Sequence, residues 1–509
     1  MIACCLGILM ALYVHKPPNP DQGIFDYIAW IGSMGGRYYA DVAEQNFPGE
    51  MILHQLAFSL FGFKIWAYRA LDFLIAVMGG TALYGLLRSG TGNIAALSGS
   101  AFYLAGYVSS NGWMSGQRDV VAANMLLFVG YCFLRRLQGS RRFCIVPLGL
   151  MLFFAILLRP TYLLFAIELS VIDISLRKQY SRHIGTCLID AALAGLLLIV
   201  PAALMTGWAA RAGSLSAFWD QVILFNTQAY EDGRSRVDTI AMLASNIGGY
   251  YLLIPGAMVA FLRLGKLNRR GALLWILSGL VLLSLVSSLV QNKGFGYHLG
   301  AMLPPLYGLA GVSVWMACEA FIDRRRKPSW FVASMAFIAA IGLAGLLLQL
   351  KTLGPQIRFL LGREQYLEMM SREYGGQEGF TWADLYEAAD YARGATGSDE
   401  DVLVWGRPVS INVLARRRSP SRFITCGMLL LAEPPFVRSD AWKREFLGML
   451  AVRPPRLVFI TNPGLDTGAT SLTRNSNEAS IQNALTEALA TRYDYIKAFG
   501  SLGLYRLRN

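Results

Sequence analysis

Eleven apolar runs recur along the first 354 residues of this 509-residue chain, at 1–14, 68–87, 93–110, 119–134, 142–158, 160–176, 184–206, 249–262, 271–291, 297–322 and 329–350. Hydrocarbon offers no water to a backbone N–H or C=O, so a chain that crosses it must satisfy those groups inside helices. A span takes ~20 residues. Only 16% of the residues are charged, against about 25% in an ordinary soluble domain. The pattern predicts a polytopic α-helical membrane protein with about eleven transmembrane helices. The first run, "MIACCLGILMALYV", is short and lacks the basic start and small-residue cleavage site of a signal peptide. It is read as the first transmembrane helix.

Charge sets the orientation. With the first helix starting inside, five short inside loops hold sixteen Lys and Arg residues, including Arg88, Arg135, Arg136, Arg141, Arg142, Arg177, Arg182, Arg263, Lys266, Arg269, Arg270, Arg326 and Lys327. The outside turns hold few, such as Arg118, Arg159 and Lys293. This is the positive-inside asymmetry, and it accounts for the net charge of +13 without a nucleic-acid partner. An odd helix count then places the tail outside, on the same side as the first long loop.

Two outside loops are long. In the first, 15–67, the stretch "EMILHQLAFSLFGFKIW" is apolar but broken by His54, Gln55 and Gly62. It suits a helix lying in the interface. In the second, 207–248, "LSAFWDQVILFNTQAY" has the same mixed character. After Gly354 the composition changes. "DVLVWG" at 401–406 and "RLVFITN" at 456–462 read as strands, 438–452 and 477–491 as helices, and "YIKAFGSLGLYRLRN" as a closing hairpin. The predicted organisation is a transmembrane domain at 1–354, containing the 15–67 loop, and a small extracytoplasmic α/β domain at 355–509. Six of the seven cysteines lie in apolar runs, the exception being Cys426; there is no CxxC, and His15, His54, His183 and His298 show no HxxxH spacing. Neither a disulfide framework nor a zinc site is indicated.

The acids gather early. "NPDQGIFDYIAWIGSMGGRYYADVAEQNFPGE" carries Asp21, Asp26, Asp41, Glu44 and Glu50 among Phe25, Tyr27, Trp30, Tyr38, Tyr39 and Phe47. Such acids can simply be solvated, but aromatics are not needed for that. At a membrane surface a carboxylate can serve as general base toward an acceptor hydroxyl.

The order of motifs resembles the glycosyltransferase C superfamily, in its branch of protein O-mannosyltransferases and lipid A aminoarabinose transferases. The resemblance rests on "DQG" at 21–23, "GGRYYAD" at 35–41, "YRAL" at 68–71, "NGWMSGQRDVVAANMLL" at 111–127, "QNKGFGYHLGAMLPPLYGLAG" at 291–311 and "DVLVWGRPVSINVLARRRSPSRF" at 401–423. Many relatives carry Asp-Glu where this chain has Asp21-Gln22, and Glu where it has Asp119. The resemblance implies transfer of a sugar, with inversion, from a polyprenyl-phosphate donor to a lipid, glycan or protein acceptor on the outer face of a bacterial inner membrane. It makes Asp21 the base and Asp41 its partner. Arg118, Arg159, Lys293 and His298, with Tyr39 and Glu44, become the set that binds donor and phosphate. A guanidinium grips phosphate in two-point fashion and an ammonium acts as a point charge. No cofactor is certain; a divalent metal stays open, as do its ligands.

Other readings stand beside this one. A flippase or transporter of a lipid-linked sugar would place ionisable residues within the spans; here the acids gather in an exterior loop instead. An O-antigen ligase or polymerase would place its main outer loop late in the chain. A scaffold would use the tail alone. The identity of the sugar and the acceptor is not written in these motifs.

Overall fold

The computed structural model describes residues 2–139, 145–230, 235–265, 271–325, 328–371, 379–432, 435–461 and 476–508. Arg141, Arg142, Lys266, Arg269, Arg270, Arg326 and Lys327 of the inside loops lie outside the described residues. The chain divides into two compact units. One comprises Met1–Lys16, Tyr68–Leu204 and Arg234–Ile357; the other comprises Pro17–Ala67, Met205–Gly233 and Arg358–Asn509.

The first unit is helical. Among the described residues six helices are long and apolar enough to cross a membrane: Ala67–Arg88, Arg118–Leu137, Ile184–Arg211, Gly271–Gln291, Gly296–Ile322 and Ser329–Leu360. The broken pair Arg236–Asn246 and Tyr250–Gly265 adds a seventh if counted as one span. Apolar runs outnumber these helices because four of the runs hold shorter ones. The runs at 1–14, 93–110, 142–158 and 160–176 contain helices of 13, 16, 14 and 14 residues. At 1.5 Å per residue these reach roughly 20–24 Å, short of the ~30 Å hydrocarbon thickness.

Small residues let these helices touch. A Cβ on Gly99 would sit 2.6 Å from the Gly308 carbonyl oxygen, and one on Gly311 would sit 2.8 Å from the Gly99 Cα. The Asn93–Val108 and Leu303–Ile322 helices therefore meet backbone to backbone, as helices in lipid do at small residues. Ser98 Oγ donates to the Gly311 carbonyl at 2.8 Å across the same seam. A buried polar network ties the first helix in: Asp72 accepts from the hydroxyls of Tyr13 and Tyr107, and Lys16 donates to the Val108 carbonyl at 3.1 Å and to Ser115 Oγ at 3.0 Å.

The second unit is built on a four-stranded sheet, β1 (Val402–Trp405), β2 (Leu457–Ile460), β3 (Tyr493–Phe499) and β4 (Leu502–Leu507), in the order β1-β2-β4-β3. β1 and β2 are parallel, and β3 and β4 form the closing hairpin. Gly500 takes φ +56° in its turn, where a side chain would be strained. Alternate residues of β1 serve different cores. Leu403 and Trp405 join Trp442, Phe446, Ile481 and Leu485. Val402 and Val404 join Trp382, Leu385, Ala389 and Ile411. A strand covered on both faces reads as a continuous apolar run, which is why "VLVW" shows no alternation.

The early loop belongs to this unit. Phe25, Tyr27, Ile28, Trp30, Tyr38, Tyr39 and Val42 form one core with Val222, Val409, Val413 and Ile424. The aromatics between the acids are thus the buried face of a packed segment. Trp382 Nε1 donates to the Pro18 carbonyl at 3.1 Å, the Ser419 amide donates to Tyr27 Oη at 2.8 Å, and the Ala43 amide donates to the Arg422 carbonyl at 2.7 Å. Division by hydropathy cuts the chain at 354; division by contact joins the 17–67 segment to the tail.

Candidate active site

Asp21 opens the Pro20–Ser33 helix. Asn19 is the N-cap: its side chain accepts from the Gln22 amide at 3.0 Å, while the Asn19 amide donates to Gln22 Oε1 at 3.2 Å. Gln22 therefore spends its side chain on a capping box. Asp21, between them, is half-exposed on the first turn. The unpaired N–H groups there favour a carboxylate. One residue on, Gly23 lies so near the Ser410–Ala415 helix that a Cβ would meet Ser410 Oγ at 2.2 Å.

Asp41 lies exposed in the turn that follows. Both of its oxygens are engaged by Arg37, through the backbone amide at 2.8 Å and the guanidinium at 2.8 Å, and these bonds hold its carboxyl below the usual carboxylate range. Tyr39 and Glu44 are buried and shape the loop. Tyr39, at φ +66°, donates from its hydroxyl to the Asn46 carbonyl at 2.8 Å. Glu44 accepts from the Asn46 amide at 3.0 Å. Gln221 clamps the loop, giving its Nε2 to the Tyr39 carbonyl at 2.8 Å and accepting the Glu44 amide at 2.9 Å.

Under the acid-bearing helix lies a cluster that the sequence did not disclose. His54 Nδ1 is 2.7 Å from Asp26 Oδ1, and its Nε2 is 3.8 Å from Glu50 Oε1. All three are buried. Burial alone would push the imidazole down, but the two carboxylates outweigh it, and the group stands above its ordinary range. The signal was present as Glu50 and His54 one helical turn apart, four residues; the partner Asp26, in another helix, could not be read from spacing. The carboxylates flank opposite ring nitrogens, so they cannot converge on one ion. Among the described residues no three His, Cys, Asp or Glu side chains are placed to hold a metal.

The cations gather in the first unit. Arg159, between the Ile145–Leu158 and Leu163–Leu176 helices, is buried rather than reaching for the membrane surface. Its Nη2 donates to Asp119 Oδ2 at 2.6 Å, and Tyr162 Oη donates to Asp119 Oδ1 at 2.6 Å. Asp119, fully buried, thus pairs with Arg159 across the helices and not only with its neighbour Arg118. A Cβ on Gly300 would lie 2.7 Å from the Asp119 carbonyl carbon, so the Gly296–Met302 turn is seated on the start of the Arg118–Leu137 helix. That seating brings His298 into the electrostatic field of Arg159, Arg118 and Lys293. Three cations, Arg118, Arg159 and Lys293, thus act on one buried imidazole, and Arg159 among them is paired with Asp119. Two buried nitrogens of this group, Arg159 Nε and His298 Nδ1, have no hydrogen-bond partner among the described residues.

A family model described as dolichyl-phosphate-mannose-protein mannosyltransferase matches residues 48–208. ArnT from Cupriavidus metallidurans, solved in the apo state, has this fold with a TM-score of 0.59 at 13% identity, over 99% of this chain and 96% of that one. The same protein bound to undecaprenyl phosphate matches at 0.59 and 14% identity, over 99% and 96%. The archaeal oligosaccharyltransferase AglB from Archaeoglobus fulgidus, solved with an inhibitory peptide and a dolichol-phosphate, matches at 0.50 and 12% identity, over 99% and 74%. No curated protein matches the chain. The chain shares its fold with these proteins. The stretch matched by the family model takes in Glu50, His54, Arg118, Asp119, Arg159 and Tyr162. Asp21, Asp41, Lys293 and His298 lie outside it.

Proposed function

We propose that this chain is a glycosyltransferase that moves a sugar from a polyprenyl-phosphate donor to a hydroxyl of a lipid, glycan or protein acceptor, with inversion, at the outer face of a bacterial inner membrane. The observation that carries the proposal is the buried pair Arg159–Asp119 beside His298, with Arg118 and Lys293 acting on that histidine. Arg159 Nε and His298 Nδ1 are buried with no hydrogen-bond partner among the described residues, and a buried polar group needs one; a phosphate oxygen is an acceptor of that kind. Undecaprenyl phosphate in ArnT and dolichol-phosphate in AglB are ligands of that chemistry.

The roles follow from the reaction. The bond between the anomeric carbon and the phosphate oxygen breaks, and the phosphate leaves as a stable anion that needs no proton. Arg159, oriented by Asp119, and Lys293 and His298 hold that anion. The acceptor hydroxyl attacks from the opposite face of the sugar and gives its proton to Asp21, worth roughly 10²–10⁴-fold. Extracytoplasmic 15–67 and 355–509 segments would then supply the base and its support, and Tyr39, Asp41 and Glu44 the frame around it. Purified protein given polyprenyl-phosphate sugars of hexose and pentose type should release polyprenyl phosphate from the accepted donor, and Asp21→Asn should stop the release. Full turnover in Asp21→Asn overturns the assignment of the base. Passage of intact donor across a vesicle without bond cleavage makes the protein a transporter.

A further inference from the structure

The second unit contains a cavity of about 210 Å³ whose lining includes Asp26, Phe58, Phe63, Lys64, Arg393 and Arg416. Three cations border it. Arg393 is fixed as part of the wall, donating to the Leu414 carbonyl at 2.7 Å and to Asp390 at 2.8 Å. Lys64 and Arg416 are exposed, and neither has a carboxylate partner among the described residues. The one acid in the lining, Asp26, is buried against His54.

Arg416 is held there at a cost. It ends the Ser410–Ala415 helix at φ +54°, a conformation that glycine takes freely and a long side chain does not. Its guanidinium lies over the Phe63 ring, 4.9 Å from the centroid. Strained backbone of this kind concentrates where a side chain must be aimed. Along the segment that supplies Phe58, Phe63 and Lys64, three large apolar side chains face outward: Leu56, Leu60 at 59% exposure, and Trp66. A positive cup beside an exposed apolar strip suits a ligand that is anionic at one end and hydrocarbon at the other.

We propose that this cup docks the phosphate headgroup of an anionic membrane phospholipid, with Lys64 and Arg416 on the phosphate and the acyl chains along Leu56, Leu60 and Trp66. This site is separate from the donor cluster, lies wholly within the second unit, and does not depend on the assignment of Asp21. Its effect is to hold the acid-bearing segment at the lipid surface.

The test is native mass spectrometry of the full chain in detergent, with phosphatidylglycerol or phosphatidylcholine added. The wild type should retain phosphatidylglycerol in preference to phosphatidylcholine. Each basic residue near an anionic surface contributes about fivefold in retention, so Lys64→Gln with Arg416→Gly should lose roughly 30-fold. Arg416→Gly alone keeps the backbone conformation and should leave the thermal stability equal or higher while losing about fivefold. Arg444→Gln, an exposed charge on another helix, is the control and should lose nothing. Equal retention of the two lipids, or equal loss in the control, overturns the proposal. Displacement of the lipid by millimolar inorganic phosphate would also overturn it, by showing a site for a free anion.

Discussion

Replacing Asp119 by asparagine removes a charge while keeping the size of the side chain, and it separates the support of the cation cluster from its chemistry. Asp119 is fully buried and accepts from Arg159 and Tyr162, each at 2.6 Å. At an effective dielectric near 20 the gross attraction at that distance is about 6 kcal/mol. Desolvation cancels much of this in the intact pair, but removing one partner of a buried pair costs about 3–5 kcal/mol because the other charge is left uncompensated. The amide oxygen still accepts one bond, so the lower end, ~3 kcal/mol, is expected. Thermal unfolding in detergent should fall by roughly 6–12 °C, at about 2–4 °C per kcal/mol. A loss below ~1 kcal/mol, the value of an exposed ion pair, would refute the argument from burial. The double variant Asp119→Leu with Arg159→Met should regain most of the stability, since an apolar pair of similar volume often replaces a buried ion pair at no loss. Its retention of polyprenyl phosphate should stay low, because the phosphate-binding guanidinium is gone.

Asp21→Asn should reduce turnover by at least ~10²-fold while moving the unfolding midpoint by less than the Asp119 change does, since Asp21 is half-exposed; equal losses of both would make Asp21 structural. His54 should give the second unit a pH signature. Its folded pKa is raised, so its stabilising contribution is whole below about pH 6.5, the ordinary imidazole value, and is lost as pH climbs through the folded value. The unfolding midpoint should therefore decline on the alkaline side, and His54→Gln should flatten that decline; an unchanged profile would put the charge elsewhere. Gly23→Ala should cost about 1–3 kcal/mol by overpacking against Ser410 Oγ. Adding Ser410→Ala should recover most of it, because the remaining side-chain contact is an ordinary 3.4 Å.

Much of the fold was legible because hydropathy speaks for itself. Strands at 402–405 and 457–460, helices at 439–452 and 476–492, and the hairpin at 493–507 fall where short apolar runs, helical periodicity and turn residues put them. The number of spans was harder. The break at Arg159-Pro160 falls between the runs 142–158 and 160–176, as read, but composition does not show how short the helices on either side of it are. For the site, Arg118, Arg159 and Lys293 were legible as exceptions among apolar neighbours, and all three act electrostatically on His298. The pairing of Asp119 with Arg159 and Tyr162 was not legible, because only the fold brings them together. The aromatics of the early loop read as more than a solvated loop needs, but not where they pack: Phe25, Tyr27 and Trp30 are buried against Val409 and Val413, nearly four hundred positions away. Long-range packing of that kind leaves no periodic trace in either segment.

The account stands on the cation cluster as a phosphate site, and the most direct measurement is the affinity of the purified full chain for a polyprenyl phosphate beside the uncharged polyprenol of the same length. A hydrogen bond to a charged group contributes about 1.5–3 kcal/mol, so the phosphate should bind at least ~10-fold more tightly than the alcohol, and Lys293→Gln should erase about that much of the difference. Equal affinity for phosphate and alcohol, or a preference untouched by Lys293→Gln and His298→Ala, would contradict it.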